Sequence, residues 1–133
     1  MKTIVLRTSR RQEFINITSQ VRSLVAESGL QNGWLCLYSP HTTAGLTVNE
    51  QADPDVVSDM LSKLERMVPE REGYAHSEGN SDAHIKTALV GVSQTIPVEG
   101  GKLRLGTWQG IFFCEFDGPR SREVWVTLMP AQG

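Results

Sequence analysis

The chain has 133 residues, of which 39% are hydrophobic and 21% charged, and its formal net charge is -2. This length suits a single domain over residues 1–133, with a core that needs neither disulfides nor a structural metal. Mixed charges without a run of Lys or Arg exclude a typical nucleic-acid or membrane-surface protein. The N-terminal apolar run is too short for a signal peptide and no later segment could cross a bilayer, so we expect a soluble, cytoplasmic protein.

The first third of the chain predicts two strands, a helix and a third strand. Strands at 2–8 and 12–17 are rich in β-forming residues, and Thr18 is expected to cap a helix that ends at Gly29. The run 34–38 is apolar without alternation, which is typical of a strand buried on both faces. This strand would deliver His41 to its C-terminal end.

The middle of the chain predicts a short strand at 45–50 and two helices. Asp53 followed by Pro54 is a preferred helix start, and Pro69 ends that helix. A second helix begins at Ser81 or Asp82, either of which could cap it. Apolar residues of this second helix are expected to face inward, namely Ile85, Ala88 and Leu89.

The C-terminal third predicts four strands in two hairpins, at 95–98 and 102–105 and then at 111–116 and 122–129. Two cysteines, Cys36 and Cys114, lie within apolar strands and are expected to be reduced core residues. The predicted fold class is α+β, a single compact domain with about seven or eight mostly antiparallel strands and three helices.

All three histidines, His41, His76 and His84, lie at predicted ends of elements, where functional sites are usually built. If they converged, they would form a zinc-type site with an open fourth position. Their spacing matches no recognised metal motif, and a helix N-terminus could equally hold a phosphate. The alternative for His84 is a capping or half-buried histidine without a ligand.

Two further residues carry candidate chemistry near the last hairpin. Glu115 lies in an otherwise apolar strand, so it is a candidate general base or ligand, unless it is an edge charge that faces solvent. Arg120 and Arg122 could pair with anionic oxygens, although ordinary surface arginines would look the same. Thr42 and Thr43 offer hydroxyls beside His41.

Several motifs, in this order along the whole chain, resemble those of the YjbQ-like family, called secondary thiamine-phosphate synthase. They are His41-Thr42-Thr43-Ala44, the segment from His76 to Lys86 with Asn80 and Ala83-His84-Ile85-Lys86, Gly106-Thr107-Trp108-Gln109, and Glu115-Phe116-Asp117-Gly118-Pro119-Arg120.

The resemblance implies a homotrimer with pockets near subunit boundaries and a weak or secondary synthase activity, which joins a pyrimidine diphosphate to a thiazole phosphate and releases pyrophosphate. The implied ligand is a phosphorylated small molecule or phosphate, and a divalent metal, most simply zinc, is suspected. Carried over by position, the implied metal ligands are His41, His76 and His84. The implied catalytic residues are Glu115, His84 and Arg120, and the implied ligand-binding residues are Thr42, Thr43, Asn80 and Arg120.

Two other classes of function remain open from the residues alone. A small-ligand or metal-binding module would need the same side chains without a catalytic base. A purely structural or interaction protein would leave the three histidines apart.

Overall fold

Eight strands and three helices form in the computed structural model, which describes residues 1–132. In chain order they are β1 (Lys2–Arg7), β2 (Glu13–Asn16), α1 (Thr18–Ser28), β3 (Gly33–Tyr38), β4 (Ala44–Glu50), α2 (Pro54–Met67), α3 (Ser81–Val90), β5 (Ser93–Glu99), β6 (Lys102–Leu103), β7 (Gln109–Glu115) and β8 (Ser121–Pro130). The α+β prediction is therefore confirmed.

Two antiparallel sheets pack on each other and form the main core. The larger sheet has the strand order β1-β8-β3-β5-β6, and the smaller has the order β2-β7-β4. Buried apolar side chains from both sheets and from α1 fill one cluster, which includes Leu35, Leu37, Leu46, Phe113 and Val124. On the other face of the smaller sheet, a second cluster packs against α2 and α3. The layers are thus the large sheet, the small sheet and a helical layer, a common way to bury sheet faces.

The outer face of the large sheet is not covered by any of the helices in residues 1–132. Strand β3 was expected to be buried on both faces, but its side chains alternate, and Trp34 and Tyr38 are 47% and 45% exposed. Tyr38 stacks on Trp125 of β8 with ring centroids 5.9 Å apart. The prediction failed because an apolar strand can present aromatic residues to an open face as well as to a core. Several large apolar side chains are therefore exposed on this side of the sheet.

One of the three helices is capped by the residue that the sequence predicted. Asp53 caps α2, and its carboxylate accepts from the amide of Asp55 at 2.9 Å. Thr18 is the first residue of α1 instead of its cap, and its hydroxyl accepts from the amide of Ile111 at 2.9 Å. The cap of α3 is Asn80, without a capping bond from its side chain. Neither Ser81 nor Asp82 caps that helix.

Helix α3 is oriented opposite to its predicted orientation. It buries Asp82, Ala83, Lys86 and Thr87. The three residues expected to face inward are exposed instead: Ile85, Ala88 and Leu89. The reason is an ionic network that includes this buried side. The Lys86 ammonium lies 3.0 Å from Asp82 and 2.7 Å from Glu65 of α2. The charged side chains of Lys86 and Asp82 can be buried only because oppositely charged partners surround them.

The network also joins α3 to the segment between β1 and β2. Arg11 donates from both terminal nitrogens to Asp82, at 3.1 and 2.9 Å. Burial alone would raise the pKa of Asp82, but the hydrogen bonds from Arg11 and Lys86 outweigh it and lower that pKa. The start of α3 is therefore fixed against the segment that carries Arg11.

The final strands differ modestly from their predicted bounds. Strand β6 has only two residues, and the chain then turns so that the Gln109 amide donates to the Gly106 carbonyl at 3.1 Å. Strand β7 begins at Gln109, two residues earlier than predicted. Both cysteines are free, with Cys114 buried and Cys36 half-buried. Within residues 1–132, no helix combines the length and the apolar character needed to cross a membrane.

Candidate functional site

A polar cavity of about 350 Å³ opens where the β3–β4 loop, the start of α3 and the β7–β8 turn meet. We call it the polar pocket. Its lining residues are Pro40, His41, Thr42, Thr43, Glu78, Asn80, His84, Asp117, Arg120 and Arg122. A neighbouring cavity shares His41, Thr42 and His84 with it. The structure therefore brings six of the eight predicted site residues to one place.

The β7–β8 turn is held against the end of β1. The Gly118 amide donates to the Arg11 carbonyl at 2.9 Å, and the Arg120 amide donates to the Thr8 hydroxyl at 2.8 Å. A side chain at Gly118 would overlap the backbone of Arg10, so only glycine permits this approach. These contacts fix the position of the turn that carries Arg120.

The guanidinium of Arg120 is oriented by Asp117. Its Nε donates to the Asp117 carbonyl oxygen at 2.8 Å, and one terminal nitrogen donates to the Asp117 carboxylate at 2.9 Å. The side chain remains 54% exposed. It therefore keeps donors available to a ligand in the polar pocket.

Beneath the polar pocket lies a buried ion pair between Glu115 and Arg122. The Arg122 Nε donates to Glu115 Oε1 at 2.8 Å, and a terminal nitrogen of Arg122 donates to Oε2. Thr8 also donates its hydroxyl to Oε1 at 2.7 Å. The amides of Phe116 and Asp117 both donate to Oε2 at 3.1 Å. Glu115 is thus fully buried with both oxygens occupied, and it does not line the polar pocket.

These contacts set the charge of Glu115. Burial alone would raise its pKa, but the hydrogen bonds from Arg122, Thr8 and the Asp117 amide outweigh burial and lower it. The carboxylate is therefore ionised at neutral pH and engaged in holding the polar pocket together. It faces neither solvent nor the pocket, and the catalytic role predicted for it stays a prediction.

His41 is a neutral imidazole on one wall of the polar pocket. The amide of Glu123 donates to His41 Nε2 at 3.0 Å, which places the ring proton on Nδ1. The Glu123 carbonyl oxygen also lies near Nε2, at 3.2 Å. The shorter contact decides the tautomer because an amide can only donate. Burial and then the charge of Arg122 lower the pKa of His41, so its Nδ1–H is a donor at neutral pH.

The other two histidines lie beside each other. The rings of His76 and His84 are 5.7 Å apart between centroids, but only His84 lines the polar pocket. In residues 1–132, no group of three or more His, Cys, Asp or Glu side chains is placed to hold a metal ion. The donor set therefore does not fit the zinc-type site expected from His41, His76 and His84. A bound divalent metal remains a prediction on which nothing below depends.

Asn80 contributes an unusual buried group to the polar pocket. Its amide nitrogen donates to the Asp117 carboxylate at 2.9 Å. Its side-chain oxygen is buried without a hydrogen-bond partner among the described residues. A buried carbonyl oxygen without a donor is costly, so this atom favours a ligand or water that can donate to it.

Three charged residues of the polar pocket were not assigned to the site by sequence reasoning. Arg122 was noted as a possible anion partner, but its buried pair with Glu115 could not be read from spacing. Asp117 had a usable signal, since an acidic residue three positions before Arg120 in a tight turn can orient it. Glu78, exposed in the loop before α3, has no comparable signal.

The fold and site define a class: a small two-sheet α+β domain with a polar pocket built around a buried Glu–Arg pair. The chain belongs to the YjbQ family, whose sequence profile, "UPF0047 protein YjbQ-like", matches residues 2–131. It is 50% identical over 130 residues to the UPF0047 protein YugU of Bacillus subtilis, covering 97% of this chain and 98% of that protein.

Solved structures agree with this assignment. An uncharacterised conserved protein of the family from Clostridium acetobutylicum superposes with a TM-score of 0.95 at 52% identity, covering 97% of this chain and all of that one (100%). A YbjQ-like protein of unknown function from Sulfolobus solfataricus gives a TM-score of 0.94 at 33% identity, covering 98% of this chain and 96% of that one.

These comparisons correct the expected function. The family and the relatives described above carry no activity in their names, and the Sulfolobus protein is described as being of unknown function. The described residues also lack a metal-binding group. The prediction of an enzyme that resembles thiamine-phosphate synthase and acts on a phosphorylated molecule is therefore wrong. The motif resemblance identified the family correctly, but family membership does not establish an activity.

The buried pair gives a prediction about stability. We expect Glu115→Gln to lower the free energy of unfolding by about 3–5 kcal/mol, because it leaves the Arg122 charge buried without its partner. Urea denaturation measures this change. Glu99→Gln, which alters an exposed pair with Arg104, should change it by less than about 1 kcal/mol. Equal small effects in both variants would contradict the role given to Glu115.

The lowered pKa of His41 gives a second prediction. The unfolded chain protonates this ring near pH 6.5, whereas the folded chain resists protonation until a lower pH. The unfolded state then binds more protons, so the free energy of unfolding should fall as the pH drops below about 6.5. Urea denaturation at several pH values measures the slope. His41→Gln should flatten it between pH 6.5 and 5.

Proposed function

We propose that the polar pocket binds a small oxyanion, either inorganic phosphate or the phosphate group of a small molecule. The observation that carries the proposal is the convergence of donors from three separate elements on one cavity. These donors are the Arg120 guanidinium, the His41 Nδ1–H, the Thr42 hydroxyl and the N-terminal end of α3.

The start of α3 adds a favourable field for an anion. Its first amides have no carbonyl of their own helix to bind, and the helix dipole places partial positive charge at this end. Helix N-termini of this kind bind phosphate in many proteins. His84 lies one turn into the helix and exposes its ring on the same side.

The polar pocket also contains acceptors, and these favour phosphate over sulfate. The Asn80 oxygen lacks a donor, and the Asp117 and Glu78 carboxylates line the same cavity. A hydrogen phosphate carries a proton that it can donate to such an acceptor. Sulfate is fully ionised at neutral pH, so it would leave Asn80 unsatisfied and meet the carboxylates with unrelieved repulsion.

Phosphate binding can be measured by titration calorimetry. We expect Arg120→Ala to weaken phosphate binding about ten- to a hundredfold, because it removes a charge-assisted hydrogen bond. Arg104→Ala, on the exposed end of the β5–β6 hairpin, is the matched control and should bind normally. Sulfate should bind more weakly than phosphate to the wild type. Equal affinity of wild type and Arg120→Ala, or tighter sulfate binding, would refute the proposal.

We also propose that the chain forms a homotrimer through the open face of the large sheet. The supporting observation is the apolar surface formed by Trp34, Tyr38, Val5 and Met129, which are 42–77% exposed. Surfaces of this kind on soluble proteins commonly mark contacts with other chains. A cytoplasmic location belongs to the same proposal and is supported by the free cysteines Cys36 and Cys114.

Light scattering tests the assembly. We expect a mass three times the 14.7 kDa of the chain. Trp34→Glu should reduce this mass, because it introduces a charge into the apolar face. Trp108→Glu changes a tryptophan that is 63% exposed outside the strands and should leave the mass unchanged. A monomer mass at all concentrations would exclude the trimer.

A further inference from the structure

A second cavity lies in the helical layer, away from the polar pocket. It has a volume of about 270 Å³, and carbon atoms dominate its walls. We call it the apolar pocket. Its lining residues come from β2, β4, α2 and α3 and are Phe14, Thr47, Met60, Lys63, Leu64 and Val90. None of them lines the polar pocket.

The apolar pocket exists because α2 packs incompletely on the small sheet. The helix has an apolar stripe that includes Val57, Met60 and Leu64, yet none of its residues is fully buried. Its position is fixed from the side by Glu65, which accepts from Gln12 and Lys86 at 2.7 Å each. A helix held by a polar bridge can stand off the sheet and leave an apolar gap beneath it.

The floor of the apolar pocket is fixed and its roof can adapt. The Phe14 ring packs against Phe112 and Phe116, each with ring centroids 6.3 Å away. Met60 from α2 covers the opposite side, and methionine adjusts readily to irregular partners. A carbon-lined pocket of this kind favours apolar occupants over polar ones. The volume lies just under the ~300 Å³ at which pockets for drug-sized ligands begin, so the occupant is small.

Lys63 gives the apolar pocket its single charge. No ion pair involves this lysine within residues 1–132, and Asp59, one turn earlier on α2, is not within salt-bridge distance of it. Thr47 lines the cavity on the sheet side. One cation beside an otherwise carbon-lined cavity is complementary to an anionic head on an apolar body.

We propose that the apolar pocket binds a small amphipathic carboxylate, with its aliphatic chain between Phe14, Met60 and Val90 and its carboxylate at Lys63. This inference is independent of oxyanion binding at the polar pocket. Two features select this ligand class: the carbon-lined cavity favours an apolar body, and Lys63 favours an anionic head over a neutral one.

Octanoate, below its micelle concentration, is the probe, and amide shifts in heteronuclear NMR report where it binds. We expect saturable shifts at the pocket residues and weaker binding of acetate, which lacks the chain. Lys63→Met should weaken octanoate binding about fivefold and leave 1-octanol binding unchanged. Lys2→Met, an exposed lysine on β1, is the matched control and should bind octanoate normally.

A second pair of variants tests the cavity itself. Val90→Phe and Met60→Phe fill the space and should each weaken both octanoate and 1-octanol more than tenfold, and thermal unfolding checks that each variant folds. Repeating the titration in Arg120→Ala removes any signal from carboxylate binding at the polar pocket. Octanoate affinity that is unchanged by Lys63→Met and by both filling variants would overturn the proposal. So would shifts at these residues that follow protein concentration and not octanoate, which would mean that a second copy covers the surface.

Discussion

The Glu115–Arg122 ion pair is the contact on which the polar pocket depends. Glu115 ends β7 and Arg122 is the second residue of β8, so their bidentate contact fixes how the last strand leaves the turn. Thr8 donates to the same carboxylate and accepts from the Arg120 amide, which couples this turn to β1. Arg122 also donates to the Thr43 hydroxyl at 2.8 Å and so reaches the loop that carries His41. One buried carboxylate thereby sets the relative positions of two pocket walls, the β7–β8 turn and the β3–β4 loop.

Because of this arrangement, Arg120 and Arg122 have different roles in the polar pocket. Arg122 is almost fully buried, and its charge is compensated by Glu115. It therefore positions the neighbouring segments and leaves little charge for a ligand. Arg120 is held by a less buried carboxylate at Asp117 and keeps donors facing the cavity. The pocket can therefore present a guanidinium to a ligand without leaving a buried charge uncompensated when the ligand is absent.

The sequence predicted the positions of the strands and helices well. It predicted less well which of their side chains are buried. Strong local signals located the strands, and Asp53-Pro54 marked the start of α2 correctly because capping is a short-range effect. Helix α3 was oriented wrongly, because its buried face depends on Arg11 and Glu65, which are distant in sequence. For the site, the motifs identified eight residues, and six of them line one cavity. They could not show that Glu115 lies beneath it or that His76 stands outside it, since both depend on side-chain packing.

The reversed orientation of α3 has a consequence for the order of folding. Hydrophobic collapse draws apolar side chains together first, and collapse alone would turn Ile85 and Leu89 inward. The native orientation instead requires Lys86 and Asp82 to lose water at the moment when Arg11 and Glu65 arrive to pair with them. A charged face gains nothing from partial burial, so this helix is expected to dock only after the two sheets have formed. The wall of the polar pocket that carries Asn80 and His84 would then be the last to assemble, and its amides would be among the first to exchange with solvent.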